Sequence, residues 1–391
     1  MGPGAGEEAA SGGPGLGALF LYTEALEAFS YPEGNPFQTG RARLARQTLL
    51  SMGVLGPEEA RFGPASRAEL ERFHLPRYLD TLEAAEAGEA LGPEILEMGL
   101  GTPDCPLFPG VFAYGAVAAG GSLAGARLLL EGRAAAVFNP SGGFHHAHPG
   151  RAGGFCYIND VVLACELLAA AGRRVLFLDI DAHHCDGVQD AFYGRSDVLV
   201  LSFHESGRTL FPGTGFEGEI GSGEGEGFTA NVPMPAGTYD EAFLDAFRRV
   251  ALPLMGAYAP DVIVLEAGMD ALAGDPLTHL ELTNNAHAEV LEAVRAQGKP
   301  LLLTGGGGYH PRNTARGWAL LWAVLTGHEA GGDDLNLGLG GVMLESTEWG
   351  GGLRDRRRFP GADQRAAVEP VLDETVRRVR EALFPRHGLE P

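Results

Sequence analysis

Lysine is almost absent from this chain: Lys299 is the only one in 391 residues, so arginine supplies 28 of the 29 basic side chains. Positive charge is scarce as a whole, with 29 Lys plus Arg against 51 Asp plus Glu and a net charge of −22. Nucleic-acid binding needs clustered cations to neutralise phosphates, and this balance argues against it. Four cysteines, Cys105, Cys156, Cys165 and Cys185, are too few for a disulfide framework. No amino-terminal segment joins a basic start to an apolar run, so a reducing cytoplasm is the expected compartment. Long hydrophobic runs are also missing. The nearest approach to a membrane span, Cys105 to Ala126, is interrupted by Pro106, Pro109 and several glycines, and reads as a loop leading into a buried helix.

With 45% hydrophobic and 20% charged residues, the chain has the composition of a packed globular protein. Residues 1–17, rich in Gly, Ala and Pro, read as a mobile tail. Residues 18–391 read as one domain: a core to residue 330, then an extension over 331–391. That extension has a glycine-rich acidic stretch over 331–352 and a last amphipathic helix at about Asp363–Leu383. Apolar runs at Ala18–Tyr22, Ala134–Asn139, Arg174–Asp181, Asp197–His204, Asp261–Gly268 and Pro300–Gly305 lack polar alternation, as strands covered on both faces do. Helical spacing over Ile158–Ala171, Tyr239–Tyr258 and Asn284–Gln297, with Asp240 and Asn284 or Asn285 as expected caps, completes a strand-helix alternation. The fold class expected is α/β, a parallel sheet flanked by helices on both faces.

Polar residues gather where such a sheet binds ligands, after the carboxyl ends of its strands. Six of the twelve histidines, His145, His146, His148, His183, His184 and His204, fall within one sixty-residue window. In Asp179-Ile-Asp181-Ala-His183-His184-Cys185-Asp186, strand alternation can bring Asp179, Asp181 and His183 to one side. Asp270 brings another carboxylate from the end of a later strand. Two oxygens and a nitrogen suit a divalent transition metal with open positions. The same string can also serve as a strand cap that hydrogen-bonds neighbouring loops. The adjacent His145 and His146 need different jobs, and Asp179 and Asp186 are available to orient them. Gly305-Gly-Gly-Gly-Tyr309 lacks the Lys-Ser/Thr ending of a nucleotide loop and reads as a turn that delivers Tyr309.

In combination, Gly142-Gly-Phe-His-His-Ala, Gly154-Phe-Cys-Tyr-Ile-Asn-Asp160, Asp179-Ile-Asp-Ala-His-His, Phe211-Pro-Gly-Thr-Gly215, Asp270-Ala-Leu-Ala-Gly-Asp-Pro276 and Gly305-Gly-Gly-Gly-Tyr309 resemble the zinc-dependent histone deacetylases. The resemblance extends to their bacterial acetoin-utilisation-type relatives and runs from about Leu19 to Leu325. It implies an arginase/deacetylase-like sheet of about eight strands and a metal-dependent hydrolase that removes acetyl groups from lysine side chains. Asp181, His183 and Asp270 would hold Zn2+, or Fe2+, for which the same donors are suited. His145 and His146 would face the reacting water, oriented by Asp179 and Asp186, and Tyr309 would donate to the oxyanion. Gly154, Phe155, Phe211 and Leu277 would line an acyl-lysine tunnel, Asp104 its rim, and Arg41 an exit channel for acetate. Asp179, Asp181, His183, Ser202 and Phe203 would hold a structural K+.

Two departures stand out. Cys185 occupies the place of a usual glycine, where a small residue is expected to be tolerated unless a positive φ brings strain and weakens catalysis, and Pro103 replaces a common rim aromatic. Three other readings remain beside the lysine deacetylase: a hydrolase of acetylpolyamines or other small acyl-amines, an acyl-lysine binder without turnover, and a two-manganese ureohydrolase. The last would want a carboxylate at Cys185 and another near Asp270, where Gly268 and Leu272 stand.

Overall fold

The computed structural model describes residues 17–89, 92–328 and 352–391, and in it the unbroken apolar runs form the middle of one parallel sheet. Its strands are β1 (Ala18–Leu21), β2 (Glu59–Ala60), β3 (Ala136–Asn139), β4 (Val175–Asp179), β5 (Val198–Glu205), β6 (Thr229–Met234), β7 (Val262–Glu266) and β8 (Leu301–Thr304). They lie in the order β2-β1-β3-β8-β7-β4-β5-β6, and every pairing is parallel. The sequence runs give six of these strands with slightly shorter ends. They miss β2, which has only two residues, and β6, whose Thr-Ala-Asn-Val-Pro-Met breaks the apolar pattern. Pro233 is tolerable there because β6 is an edge strand.

The helices are α1 (Arg41–Ser51), α2 (Arg67–Leu70), α3 (Pro76–Glu86), α4 (Val111–Leu130), α5 (Asp160–Ala170), α6 (Asp186–Phe192), α7 (Asp240–Tyr258), α8 (Asn284–Arg295), α9 (Pro311–Thr326) and α10 (Ala362–Leu383). Strand alternation divides the core between two layers of them. Leu176, Leu178, Leu199, Leu201, Ile263 and Leu265 face a cluster with α1, α7, α8, α9 and α10. Val175, Phe177, Val198, Val200, Val262 and Val264 face α4, α5 and α6. Each fully buried side chain of this size contributes roughly 1.5–3 kcal/mol. A third cluster, with Tyr31, Phe37, Phe108, Tyr114, Phe144 and Tyr157, packs the loops that follow β1 and β3.

The expected helix after Cys105 is α4. It is long and apolar enough to cross a membrane, but 72% of its most apolar window is buried inside the protein, against β3 and α5 among others. Two expected caps are corrected. Thr283, not Asn284 or Asn285, caps α8 by accepting from Asn285 N, and Asp240 lies in the first turn of α7. The Asp240 carboxylate instead accepts from Thr283 N at 2.7 Å and from the Thr283 hydroxyl, tying the two helix starts together. The tail expected over 1–17 and the acidic stretch over 331–352 lie, but for Gly17 and Gly352, outside the described residues. Exposed Lys299 sits in the loop entering β8, at the amino end of the strands.

Candidate active site

The parallel register sets the site. Asp179 ends β4 beside Ser202 of β5 and Glu266 of β7, so three polar side chains emerge together where three apolar strands stop. Just beyond, Asp181, His183 and Asp270 converge, with one ligand-type atom from each lying within 4.8 Å of the others and all three residues buried. The His183 Nδ1 atom is 2.8 Å from Asp270 Oδ2 and 3.2 Å from Asp181 Oδ1. Backbone amides hold the outer oxygens: Gly307 N donates to Asp181 Oδ2 at 2.6 Å and Ala182 N to Asp270 Oδ1 at 2.9 Å. A Cβ on Gly307 would come within 2.1 Å of Asp270 Oδ2, so only glycine lets the backbone approach this closely. Burial disfavours an imidazolium at His183, yet its hydrogen bonds to Asp181 and Asp270 lift it to about 10. Burial also raises Asp270, with the Asp181 charge adding to it, whereas His145 and His183 hold Asp181 well below the usual carboxylate range against burial. Two carboxylates and one imidazole nitrogen, bunched and fixed by the backbone, fit a small divalent cation.

Above this group lie the two imidazoles. His145 Nδ1 is 2.7 Å from Asp179 Oδ2, and His146 Nδ1 is 2.7 Å from Asp186 Oδ1. Their Nε2 atoms are 3.1 Å apart. With each Nδ1–H donating to a carboxylate, a contact between the two Nε2 atoms requires one to donate and the other to accept, so the pair shares one extra proton. Their environments assign it. Burial lowers both, but Glu266, Asp179 and Asp181 around His145 overcome burial and raise it, while His146 is pushed down to about 4 by burial and by the charge on His145. These directions favour the extra proton on His145 over His146. Asn159 ties this loop to the start of α5, donating to His145 O at 3.1 Å and to Ala147 O at 2.9 Å.

Tyr309 is carried in by the glycine turn after β8, and its ring lies 6.2 Å from that of His183 and 5.5 Å from Phe155. Phe211 lies 5.0 Å from the His146 ring on the other side and is 47% exposed, so it stands toward solvent. Gly154 sits at φ +51°, and a Cβ there would come within 2.3 Å of His146 Cδ2 and 3.0 Å of Phe211. Asp104 Oδ2 accepts from Gly154 N at 3.0 Å and so braces this segment. Leu277 N donates to Asp275 Oδ1 at 3.0 Å, while Asp275 Oδ2 accepts from Tyr309 N at 2.7 Å. Arg41 lies behind Tyr309, donating to Gly308 O at 2.8 Å from beneath the rings of Phe37 and Trp318, beside a small cavity.

Cys185 brings no left-handed strain: its φ is −78°, and its side chain is wholly buried in the apolar cluster beneath α5 and α6. Burial pushes its thiol up, so it stays protonated. Phe203 turns its ring away from the site to pack on Phe243 and Phe247, leaving only its backbone available there. Ser202 Oγ is 2.8 Å from His204 Nδ1. Pro103 is exposed and receives a hydrogen bond from Asn35 on its carbonyl.

Glu266, Asp275 and Asp160 are assigned no part from sequence. Asp160 accepts from Gly143 N at 3.1 Å and Phe144 N at 2.8 Å, shaping the loop before His145. Glu266 Oε1 lies 3.0 Å from His145 Nδ1, but that nitrogen's proton is directed at Asp179. Both Glu266 oxygens are buried without a hydrogen-bond partner among the described residues, and burial raises the carboxyl well above its ordinary value. A charge closing the otherwise apolar Val-Ile-Val-Leu-Glu was the visible signal for it.

Comparison with known proteins bears on the family and the fold. The Histone deacetylase domain model matches residues 35–325. Histone deacetylase 3 of Oryza sativa subsp. japonica is 39% identical over 315 residues, 79% of this chain and 61% of the relative, so the chain spans under two thirds of that protein. Acetoin utilization protein AcuC of Bacillus subtilis is 37% identical over 323 residues, 80% of this chain and 83% of that protein. A crystal structure of an HDAC homologue complexed with SAHA superposes with a TM-score of 0.82 at 31% identity, covering 93% of this chain and 100% of the other. With the family model covering most of the chain and the parallel sheet shared with that homologue, this chain belongs to the histone deacetylase family.

Proposed function

We propose that this protein is a metal-dependent amide hydrolase that removes acetyl groups from lysine side chains. The observation that carries the reading is the convergence of Asp181, His183 and Asp270 beside His146 and Tyr309. Zn2+ or Fe2+ held by those three residues would supply Lewis-acid polarisation of the amide carbonyl and lower the pKa of water. The His145–His146 pair, with His146 oriented by Asp186, acts together: it takes the proton of the attacking water and returns it to the departing amine. His145, oriented by Asp179, keeps positive charge beside the developing anion. Tyr309 remains protonated, its pKa raised by burial and then by Asp270 and Asp181, and donates to the oxyanion.

Phe155 and Phe211 favour an acylated side chain over a free ammonium, whose burial is costly. Asp104, Gly154 and Leu277 complete the mouth and wall of the tunnel, Arg41 borders the acetate route, and K+ would sit by Asp179, Asp181, His183, Ser202 and the backbone of Phe203. The net charge of −22 favours a second reading, a hydrolase of acylated polyamines, because such a surface attracts cations. The bacterial relative and the unpaired cysteines support the cytoplasm as its compartment. The test is release of acetate from a fluorogenic acetyl-lysine peptide and from acetylspermidine, each with chelator and hydroxamate controls. Chelator-sensitive peptide turnover is expected; tight hydroxamate binding with no product from either substrate would replace the hydrolase by an acyl-lysine binder.

A further inference from the structure

His148 lies two residues beyond the tandem pair, and the proposed chemistry gives it no part. Its Nε2 is 3.2 Å from Asp186 Oδ2, and its Nδ1 is 3.2 Å from Asp190 Oδ2. The two carboxylates stand at positions i and i+4 of α6, one turn apart on the same face. Asp186 uses its other oxygen for His146. One carboxylate thus serves two imidazoles, His146 inside the site and His148 at its margin.

A neutral imidazole has one N–H and one lone pair. Between two carboxylates its lone pair would lie beside an anion, so this geometry favours the doubly protonated ring. We propose that His148 is a positioning residue: clamped between the two carboxylates of α6, its imidazolium fixes the direction of Asp186 and offsets part of its charge.

The groups facing the ring are Asp186 and Asp190 from α6, Arg151 across the turn that pairs His148 N with Arg151 O, and, beyond Asp186, His146. The contacts with Asp186 and Asp190 raise His148 to about 9, against burial and then the charge of Arg151. His148 therefore remains cationic across the neutral range. An Asp186 shared in this way stays ionised and aimed, and it pulls less strongly on the His146 Nδ1 proton than an unshared carboxylate would. His145 has no equivalent clamp, because the second group beside it is the carboxyl of Glu266.

This role rests on the proposed hydrolysis, so its test has two readouts. The first needs no turnover: NMR titration of histidine-labelled protein, with the His148 signal assigned by its loss in His148→Gln. A midpoint above pH 8 that falls by about one pH unit in Asp190→Asn is expected; a midpoint near 6.5 in both proteins overturns the clamp. The second is the pH profile of kcat/KM. The native enzyme is expected to lose rate above about pH 9, the Asp190→Asn limb to move about one unit lower, and His148→Gln to be about tenfold slower at pH 7.5 without that limb. His148→Lys, which keeps a cationic donor, should recover most of the rate and hold it past pH 9. Profiles that differ only by a uniform factor would make His148 merely structural and overturn the proposal. Absence of turnover by native protein would instead remove the hydrolase reading, and the positioning role with it, while the NMR midpoint still decides the clamp.

Discussion

Single side chains carry the two sharpest tests of the site. Tyr309→Phe removes one donor without disturbing the ring contacts to Phe155 and His183, so kcat should fall about 10²–10³-fold while hydroxamate affinity changes far less. Steady-state kinetics beside an inhibitor titration measure both. Glu266→Gln addresses the unpartnered carboxyl. Burial raises the Glu266 pKa in the folded protein, so above its unfolded value the folded state holds a proton that the unfolded state has released. Its contribution to stability is thus most favourable in acid and declines as pH rises. Glutamine carries no such proton, so urea unfolding of Glu266→Gln should gain on the native protein between pH 5 and pH 8. An unchanged difference across that range would mean that the carboxyl is ionised in the fold.

At the scale of elements, the parallel strands explain how much of the site could be read without coordinates. Buried strands declare themselves as unbroken apolar runs, and in a parallel sheet their carboxyl ends share one edge, so Asp179, His183, Asp270 and Tyr309 were foreseeable neighbours. What escaped depends on register rather than order. Glu266 matters because β7 pairs with β4 so that residue 266 meets residue 179, and no linear pattern states that pairing. Asp275 was visible only as part of a motif, because its two hydrogen bonds join backbone amides that lie far apart in sequence. The α8 cap was misplaced for a local reason: three adjacent residues can all cap, and Asp240 on a different helix selects Thr283. The final helix was legible from its periodicity, and it buries Val368, Leu372, Val376, Val379 and Leu383. Leu383→Ala should therefore cost about 2–5 kcal/mol in chemical denaturation and leave the KM for acyl substrate near its native value.

For the whole molecule, a cation gripped by Asp181, His183 and Asp270 would bind the folded chain alone, because those ligands come from two separated stretches. Dialysis against a chelator should lower the Tm by several degrees, and one equivalent of Zn2+ per chain should restore it. A requirement for two equivalents would favour the ureohydrolase-like alternative. The scarcity of lysine has a different consequence. The sole side-chain amine, Lys299, lies at the end of the sheet opposite the site, on the loop that enters β8. On the proposed hydrolysis, a chain so composed offers its sister molecules hardly any of the group acted upon, so reactive acyl donors in the same compartment leave little on its own surface to erase. Amine-directed dyes, for the same reason, should mark each molecule's side chains at a single point remote from the candidate site.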